Sequence, residues 1–458
     1  MKIRNYQDCK GTIHMKTLYT KKGIIDKLRE QISPIFSDAV QPTEKHLFDL
    51  LLAVLALNGF QSVKFCFEHF IENLSTYQLK SYYYTLSKSR ILLEHWMKQL
   101  LKKALSIIPT ELRKQAVILS IDDTMAEKSG KKFEYSSKLF DHAAHNGSNY
   151  LNGHCFVSLL LSVLTSDRSY LSVPVACRMW AKVKSKLEMA AELVRDAMSV
   201  FGSEQAVVLC CDSWYPKGEI LKLVQEFQNL TLICNVRSDT ALYSLPPERT
   251  VKRGRPRVWG TRLSLQDFEL KEIPDTNYLA GSRPVMTRLL GHRIVYAIVT
   301  KPKKGASYRV FLCTSDPTSI SFDPDFVGNR TAAAYAKADP SLLPLTIYSL
   351  RWKIEVSYYE QKTFWGFKDY MLRSYNGIER LLNLLGILYA FMKLLPFLSE
   401  DFSALKSLSA QQTRFVLGAR VRQQVFLTTF ASRLELAHIS IPLKSVLYKL
   451  LFELLHVA

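Results

Sequence analysis

Apolar residues in the first quarter of the chain recur at the spacing of an amphipathic helix. Leu47, Leu51 and Val54 fall on one helical face, and the same spacing returns over 91–100. Lysine and arginine residues lie between these apolar positions. The pattern predicts an all-α region with basic faces, which we place at 1–114.

After residue 115 the apolar positions form short runs that are typical of buried strands. Three runs lie close together and predict an antiparallel set, whereas the later runs alternate with amphipathic helices and predict parallel crossovers. The predicted strands are 116–121, 154–164, 170–177, 206–211 and 230–236, and the predicted helices are about 186–201 and 219–228. This β-β-β-α-β-α-β order predicts an α/β protein with an RNase H-like mixed sheet over 115–400.

Five prolines interrupt this pattern between about 237 and 295. Strand-like fragments, among them the alternating run 258–270, lie between the turns, so we expect a β-rich insertion there. A strand pair at 293–300 and 308–314 follows, and then a long helix over about 344–364. The region 401–458 is apolar and is predicted to be helical.

The composition is that of a globular protein with a large core. Of the 458 residues, 48% are apolar and 22% are charged, which excludes disordered, collagen-like and coiled-coil proteins. The eight cysteines form neither a C-x-x-C pair nor a zinc-type cluster with histidine, so we expect reduced thiols in a cytosolic protein. The apolar run 381–398 includes Asn383, Lys393 and Pro396, which favours a buried helix over a membrane span.

Basic residues outnumber acidic ones by 61 to 41, which gives a formal net charge of +20. An excess of this size requires an anionic partner, and nucleic acid is the leading candidate. The charge therefore indicates a large basic enzyme or a large DNA-binding protein.

Three acidic positions stand out by their location. Asp122 and Asp123 follow the first predicted strand, and Asp212 follows the fourth. Carboxylates at the carboxyl ends of strands lie at the crevice where α/β sheets bind ligands. The alternative is that each aspartate only caps a turn or a helix.

A polar stripe on the predicted helix 344–364 contains the fourth acid. Its members are Tyr348, Arg351, Glu355 and Lys362. At about 100° per residue these four positions fall within about 60° of one helix face. A structural ion-pair ladder could have similar spacing, but Trp352 and Ile354 are expected to supply the packing of this helix.

The pattern Tyr-x2-Arg-x3-Glu-x6-Lys at 348–362 resembles the YREK motif of DDE transposases from bacterial cut-and-paste insertion sequences. Asp-Asp-Thr at 122–124 and Cys-Asp-Ser at 211–213 resemble the first and second aspartate motifs of the same family, and the segment 366–380 also resembles its members. The resemblance covers roughly 115–395. It implies a DNA transposase that cleaves at terminal inverted repeats and joins the 3′ ends to target DNA.

The resemblance also implies roles for individual residues. Asp123, Asp212 and Glu355 would be the catalytic carboxylates and the ligands of two Mg²⁺ ions, for which Mn²⁺ can substitute. Tyr348, Arg351 and Lys362 would hold phosphates beside the scissile bond. Adjacent strand residues face opposite sides, so either Asp122 or Asp123 faces the metals, and the alignment to Thr124 favours Asp123.

Partners and location follow from the same resemblance. The 1–114 region would bind the transposon ends in double-stranded DNA, the 401–458 region would contact the second protomer of a homodimer, and no membrane partner is expected. The protein would act in the bacterial cytoplasm on the nucleoid. Within the insertion, Lys-Arg-Gly-Arg-Pro-Arg at 252–257 resembles an AT-hook, whose arginines would enter a minor groove. The three arginines are Arg253, Arg255 and Arg257; the alternative is a solvated turn.

Two other functions are compatible with an RNase H-like fold. One is a structure-specific nuclease or domesticated recombinase, and the other is an inactive transposase-derived protein that only binds DNA. The presence of all three acids argues against the inactive protein. A glycosidase with paired carboxylates would explain neither the net charge nor the basic residues around Glu355.

Overall fold

The computed structural model describes residues 22–140, 149–248, 257–436 and 446–447. Helices predicted before the first strand are present from residue 24 onward, and residues 1–21 lie outside the described part. These helices are α1 (Ile24–Ile32), α2 (Gln41–Ala56), α3 (Val63–His69), α4 (Leu79–Ser87) and α5 (Leu93–Ser106).

A mixed sheet follows, and its order is β4-β3-β1-β5-β6. Strands β1, β5 and β6 are parallel, whereas β3 is antiparallel to both β1 and β4. This arrangement confirms the predicted RNase H-like fold class; a short strand, β2, additionally pairs with the start of β3. The elements are β1 (Val117–Glu127), β2 (Ser137–Phe140), β3 (Tyr150–Leu164), β4 (Tyr170–Met179), α6 (Lys186–Met198), β5 (Val207–Cys211), α7 (Gly218–Glu226) and β6 (Leu230–Val236).

The central strand β1 is longer than predicted, because its two edges are paired over different lengths. Its parallel pairing with β5 ends at Ile121 and Cys211, but its antiparallel pairing with β3 continues to Glu127. Asp122 and Asp123 therefore lie in the middle of a strand, and the prediction that they end it was wrong. They nevertheless lie where the parallel part of the sheet ends.

The insertion extends the same sheet beyond β6, in the order β6-β12-β11-β10-β7-β8. The strands are β7 (Leu242–Tyr243), β8 (Arg262–Leu263), β9 (Lys271–Glu272), β10 (Tyr278–Thr287), β11 (Ile294–Pro302) and β12 (Arg309–Cys313). The run 258–270 forms a strand only at β8, so most of the strand predicted there was wrong. Ser264 accepts a hydrogen bond from the Gln266 backbone N–H, which favours a 3-10 turn over Leu265–Asp267.

In the described range 314–436 the chain forms five α-helices: α8 (Arg330–Ala338), α9 (Leu343–Tyr348), α10 (Trp352–Phe364), α11 (Tyr375–Leu398) and α12 (Ala410–Leu436). The single long helix predicted at 344–364 is instead α9 and α10, joined by a 3-10 turn at Ser349–Arg351. Helices α6 and α7 cover one face of the sheet, and α8 and α9 cover the other.

Helix α11 contains the apolar run 381–398, for which the sequence favours a buried helix over a membrane span. It is long and apolar enough to cross a membrane, but 78% of its most apolar window is buried inside the protein. Its polar residues bind the outer edge of β4, where backbone groups lack a neighbouring strand. The Asn383 amide donates to Cys177 O (2.7 Å) and accepts from Cys177 N (3.0 Å), and Glu379 accepts from Met179 N (2.9 Å). The helix thus satisfies backbone groups that would otherwise be buried without partners.

We expect Asn383→Leu to lower the free energy of unfolding by about 2–4 kcal/mol, although leucine is more apolar. The substitution leaves the N–H and C=O of Cys177 buried without partners, at about 1–3 kcal/mol for each group. Urea unfolding measures the change. Asn376→Leu, at an exposed position of the same helix, is the matched control and should stay within about 0.5 kcal/mol of wild type. An equal effect of both variants would contradict this role of Asn383.

Candidate active site

Asp122 and Asp212 project from the same face of the sheet. The last parallel pair of β1 and β5 is Ile121 with Cys211, so the two aspartates are the next residues along two adjacent strands. Side chains alternate between faces along a strand. Ile118, Val208 and Cys210, which have the same parity as the aspartates, pack in the core under α8 and α9. The two carboxylates therefore belong to the face that these helices cover.

Glu355 reaches this face from the first turn of α10, and Arg351 links it to β1. One terminal nitrogen of Arg351 lies 3.2 Å from Oδ2 of Asp122, and the other donates to Oε1 of Glu355. The Arg351 side chain is 12% exposed, and its Nε is buried without a hydrogen-bond partner among the described residues. A single cation thus lies between two carboxylates that come from distant parts of the chain.

The local charges act directly on Asp122. Burial raises the pKa of Asp122 to about 7, the nearby Asp212 carboxylate adds to the increase, and Arg351 opposes it. The Tyr358 hydroxyl donates to the backbone O of Asp122 (2.9 Å), and the backbone N–H of Trp214 donates to Oδ1 of Asp212 (3.0 Å). The site therefore holds more negative charge than the single guanidinium neutralises.

Asp123 lies on the opposite face of β1 and has different partners. Its Oδ2 lies 2.9 Å from Nζ of Lys186 and 3.2 Å from Sγ of Cys155, and its Oδ1 accepts from the hydroxyl of Tyr215 (3.0 Å). Ile121, which has the same parity, packs in the core beneath α6. The structure therefore brings Asp122, and not Asp123, together with Arg351 and Glu355.

The remaining residues of the predicted stripe lie along the same helical segment. Tyr348 ends α9, and its ring centroid is 5.6 Å from Cζ of Arg351. Lys362 is half-buried near the end of α10, about 10 Å along the helix axis from Glu355. Trp352, which was expected to pack inward, is 60% exposed, so that expectation was wrong. Because of the 3-10 turn before α10, the residues of this segment do not fall on the faces that one ideal α-helix would give them.

The basic strip in the insertion is only partly described. Arg253 and Arg255 lie outside the described residues, whereas Arg257 is exposed. The structure thus leaves the minor-groove hypothesis for these three arginines as a prediction.

Sequence reasoning missed the residues that hold the aspartates in place. Lys186, Tyr215 and Tyr358 all contact Asp122 or Asp123, but each lies in an ordinary helix or turn with no motif of its own. The nearest available signal in the sequence was Tyr215, which lies three residues after Asp212. Contacts of this kind depend on which elements pack together, so a single sequence does not indicate them.

The donor chemistry at the site fits a divalent metal ion. Asp122, Asp212 and Glu355 supply carboxylate oxygens, which are the ligands preferred by Mg²⁺ and Mn²⁺. Within the described part of the chain, however, no three histidine, cysteine, aspartate or glutamate side chains converge closely enough to hold a metal ion. Arg351 lies between Asp122 and Glu355, and its guanidinium supplies the positive charge that pairs with both carboxylates in this structure.

A family model described as "DDE superfamily endonuclease" matches residues 44–277, which is just over half of the chain. The chain belongs to this superfamily. The matched residues of this DDE-superfamily chain include the three aspartates on β1 and after β5, but they end before Glu355. Membership supports a transposase or nuclease function, a DNA partner and the use of divalent metal ions. No curated protein matches the chain.

We expect Asp122→Asn and Asp123→Asn to differ in stability in buffer free of divalent cations. At pH 7 Asp122→Asn should be at least as stable as wild type, because it removes a carboxylate whose ionisation the fold opposes. Asp123→Asn should lower the free energy of unfolding by about 1–3 kcal/mol, because Lys186 loses its charged partner. Urea unfolding of both variants at pH 7 measures this contrast.

The stability difference between wild type and Asp122→Asn should depend on pH, and the pKa of Asp122 gives the direction of the change. The pKa of Asp122 in the folded chain, about 7, lies above its unfolded value, so the folded state binds the extra proton. The stability of wild type relative to Asp122→Asn should therefore fall as the pH rises from about 4 to about 7. A difference that is constant over this range would contradict the burial of Asp122 beside Asp212.

Proposed function

We propose that this chain is a DNA transposase that cleaves at terminal inverted repeats and joins the freed 3′ ends to target DNA. The observation that carries the proposal is the placement of Asp122 and Asp212 at neighbouring positions on one face of the sheet, with Arg351 linking Asp122 to Glu355 at the start of α10. Three acids on one face of an RNase H-like sheet, beside the guanidinium of Arg351, suit metal-dependent phosphoryl transfer.

The proposed ligand set is Asp122, Asp212 and Glu355, with Asp122 in the role first assigned to Asp123. Asp122 replaces Asp123 in this set because the two residues lie on opposite faces of β1, and Asp123 already binds Lys186 and Tyr215. When bound, two Mg²⁺ or Mn²⁺ ions would activate the attacking oxygen and stabilise the leaving one. The protein's own contribution would be to supply the three carboxylates from two neighbouring strand ends and one helix, and metal binding would require Arg351 to leave its position between Asp122 and Glu355.

Arg351 would have two alternative partners. Without DNA it neutralises Asp122 and Glu355, and its unpaired Nε leaves hydrogen-bonding capacity unused. With metal ions on the carboxylates, the guanidinium would be released to bind a phosphate, for which its planar fork is well suited. Tyr348 and Lys362 would hold the same strand on either side of it along the helical segment.

A groove between the N-terminal helices is a second candidate DNA contact. It has a volume of about 920 Å³, and Lys80, Lys88 and Arg90 line it together with Tyr84, which is 62% exposed. Nε2 of His46, also in the groove, is buried without a partner among the described residues. These features support the proposal that the 1–114 region binds the transposon ends. The arginines 253, 255 and 257 would add a minor-groove contact.

The finer assignments belong to the same proposal. The Tyr348–Lys362 spacing supports the YREK type of cut-and-paste element, and the C-terminal region 401–458 would contact a second protomer in a homodimer on DNA. The catalytic region would span 115–400, and the protein would act in the cytoplasm, where bacterial DNA lies. A structure-specific nuclease would use the same carboxylates, but it would cleave without requiring inverted repeats and would not join ends.

We expect Asp122→Asn, Asp212→Asn and Glu355→Gln each to lower cleavage at least about a thousandfold, because each removes a ligand of a unit that acts together. The assay is Mg²⁺- or Mn²⁺-dependent nicking and end joining on a plasmid that carries the gene's flanking DNA. Binding of that DNA should change little.

Asp123→Asn is the matched control, since it is the same substitution at the adjacent residue. Corrected for the folded fraction, its cleavage should fall by no more than about 10–100-fold, as for residues that support a ligand indirectly. Full loss in Asp123→Asn with retained cleavage in Asp122→Asn would overturn the proposed ligand set.

DNA affinity should fall steeply as salt rises, because phosphate contacts release counterions. For 6–10 contacts the binding constant should drop by about 10³–10⁵ between roughly 50 and 200 mM salt. Replacing both Lys88 and Arg90 by methionine should reduce the slope by about one for each lost contact. Lys64→Met, which removes an exposed lysine paired with Glu68, should leave the slope close to wild type. A binding constant that hardly changes with salt would contradict a DNA partner.

A further inference from the structure

A tyrosine from helix α10 binds the backbone of β1 at Asp122. The hydroxyl of Tyr358 donates to the backbone O of Asp122 (2.9 Å). This carbonyl lies just beyond Ile121, the last residue of β1 that pairs with β5. Backbone groups that have lost a neighbouring strand need another partner when they are buried. Tyr358 therefore binds β1 at the point where its parallel pairing has ended.

The same peptide group also holds the carboxylate of Asp122. Its C=O accepts from Tyr358, and its N–H, which belongs to Asp123, donates to Oδ1 of Asp122 (2.8 Å). Because the peptide is planar, a partner that fixes its C=O also fixes the direction of its N–H. The hydrogen bond to the C=O further polarises the peptide and strengthens its N–H as a donor. We call this path from the hydroxyl through the peptide to the carboxylate the hydrogen-bond relay.

The packing of α10 keeps the hydroxyl in place. Tyr358 is buried and packs in a small cluster with Leu160 of β3 and Ile354 of α10. A tyrosine hydroxyl has an ordinary pKa of about 10, so it carries its proton and donates at neutral pH. Tyr358 lies three residues after Glu355, and residues at this spacing are neighbours on the surface of a helix. Helix α10 thus carries both the third acid and the hydroxyl that acts on the first.

The hydrogen-bond relay does not depend on Arg351. The guanidinium binds the other carboxylate oxygen of Asp122, Oδ2 (3.2 Å). When Arg351 leaves to bind a phosphate, as the proposed function requires, Oδ2 loses its partner but Oδ1 keeps the N–H of Asp123. The relay therefore holds the carboxylate in one orientation after the guanidinium has gone.

We propose that Tyr358 is a positioning residue, which fixes the Asp122 carboxylate for metal binding through the peptide between Asp122 and Asp123. The inference rests on the proposed function for the role of Asp122 as a ligand, whereas the relay itself is a property of the chain without DNA or metal. The alternative is that the hydroxyl only satisfies a buried carbonyl. In that case, replacing Tyr358 would lower stability and would leave the carboxylate unaffected.

A double-mutant cycle tests the relay in a buffer that contains EDTA and no DNA. Tyr358→Phe removes the hydroxyl, Asp122→Ala removes the carboxylate, and urea unfolding gives the unfolding constants of wild type, both single variants and the double variant. Groups that belong to one hydrogen-bond network have coupled effects on stability. The unfolding constant of the double variant should therefore differ at least about threefold from the product of the two single effects.

Tyr389→Phe is the matched control for Tyr358→Phe. Tyr389 is also buried, and its hydroxyl donates to Glu360 of the same helix α10. The control therefore loses one tyrosine hydrogen bond to α10, but this bond lies outside the relay. Its effect should combine with that of Asp122→Ala to within about twofold of the simple product. Circular dichroism verifies that each variant is folded.

The Mg²⁺ dependence of cleavage tests whether the relay acts on metal binding. The substrate is the plasmid that carries the gene's flanking DNA. Residues that orient a metal ligand change metal affinity by about 10–100-fold when they are replaced. In Tyr358→Phe, the Mg²⁺ concentration for half-maximal cleavage should rise by this factor, and the rate should recover towards wild type at saturating Mg²⁺. In Tyr389→Phe the half-maximal concentration should not change, because a smaller folded fraction lowers the rate and leaves the metal dependence unaltered.

The outcomes separate this inference from the proposed function. Additive effects of Tyr358→Phe and Asp122→Ala overturn the relay, even if Asp122→Asn abolishes cleavage. Coupled effects with an unchanged Mg²⁺ dependence in Tyr358→Phe overturn its role as a positioning residue. Coupled effects together with a raised Mg²⁺ requirement support the inference. Coupled effects in a protein whose wild type cleaves no DNA support the relay and overturn the transposase proposal instead.

Discussion

Strand β1 is hydrogen-bonded to β3 along nearly its whole length and to β5 as far as Ile121, so each of its side chains is committed to one face of the sheet. Adjacent carboxylates on such a strand cannot share a site. Asp122 meets Arg351 and the carboxylates of the candidate active site, and Asp123 meets Lys186 and Tyr215. The separation of the proposed metal ligand Asp122 from the Lys186–Asp123 ion pair depends on this alternation.

Opposite charges at the candidate active site connect helix α10 to strand β1. Burial and Asp212 raise the pKa of Asp122, and the buried guanidinium of Arg351 is the cation that opposes them. Burying a carboxylate is costly unless it is paired. The contact between α10 and β1 therefore joins Glu355 to Asp122 through Arg351, and a ligand that supplies positive charge would change it.

The far side of the sheet depends on helix α11. An edge strand presents unpaired backbone groups, and burying such groups without partners is unfavourable. Asn383 and Glu379 supply the missing partners to β4. The apolar surface of α11 packs at the same time against α4, α5 and α12. One helix thus joins the N-terminal helices, the C-terminal helix and the catalytic sheet.

The sequence by itself determined the fold class, the positions of the main strands and a candidate set of acids, because apolar periodicity and the Tyr348–Lys362 spacing are local properties. It also limited the first aspartate of the candidate active site to one of two residues, Asp122 or Asp123. Only the tertiary structure decided which of these two meets Arg351 and Glu355, since the answer depends on the register of β1 with β5 and on which helices cover each face. The contacts of Lys186 and Tyr215 with Asp123 likewise join α6 and the turn after β5 to β1, and no local pattern indicates that these segments pack together.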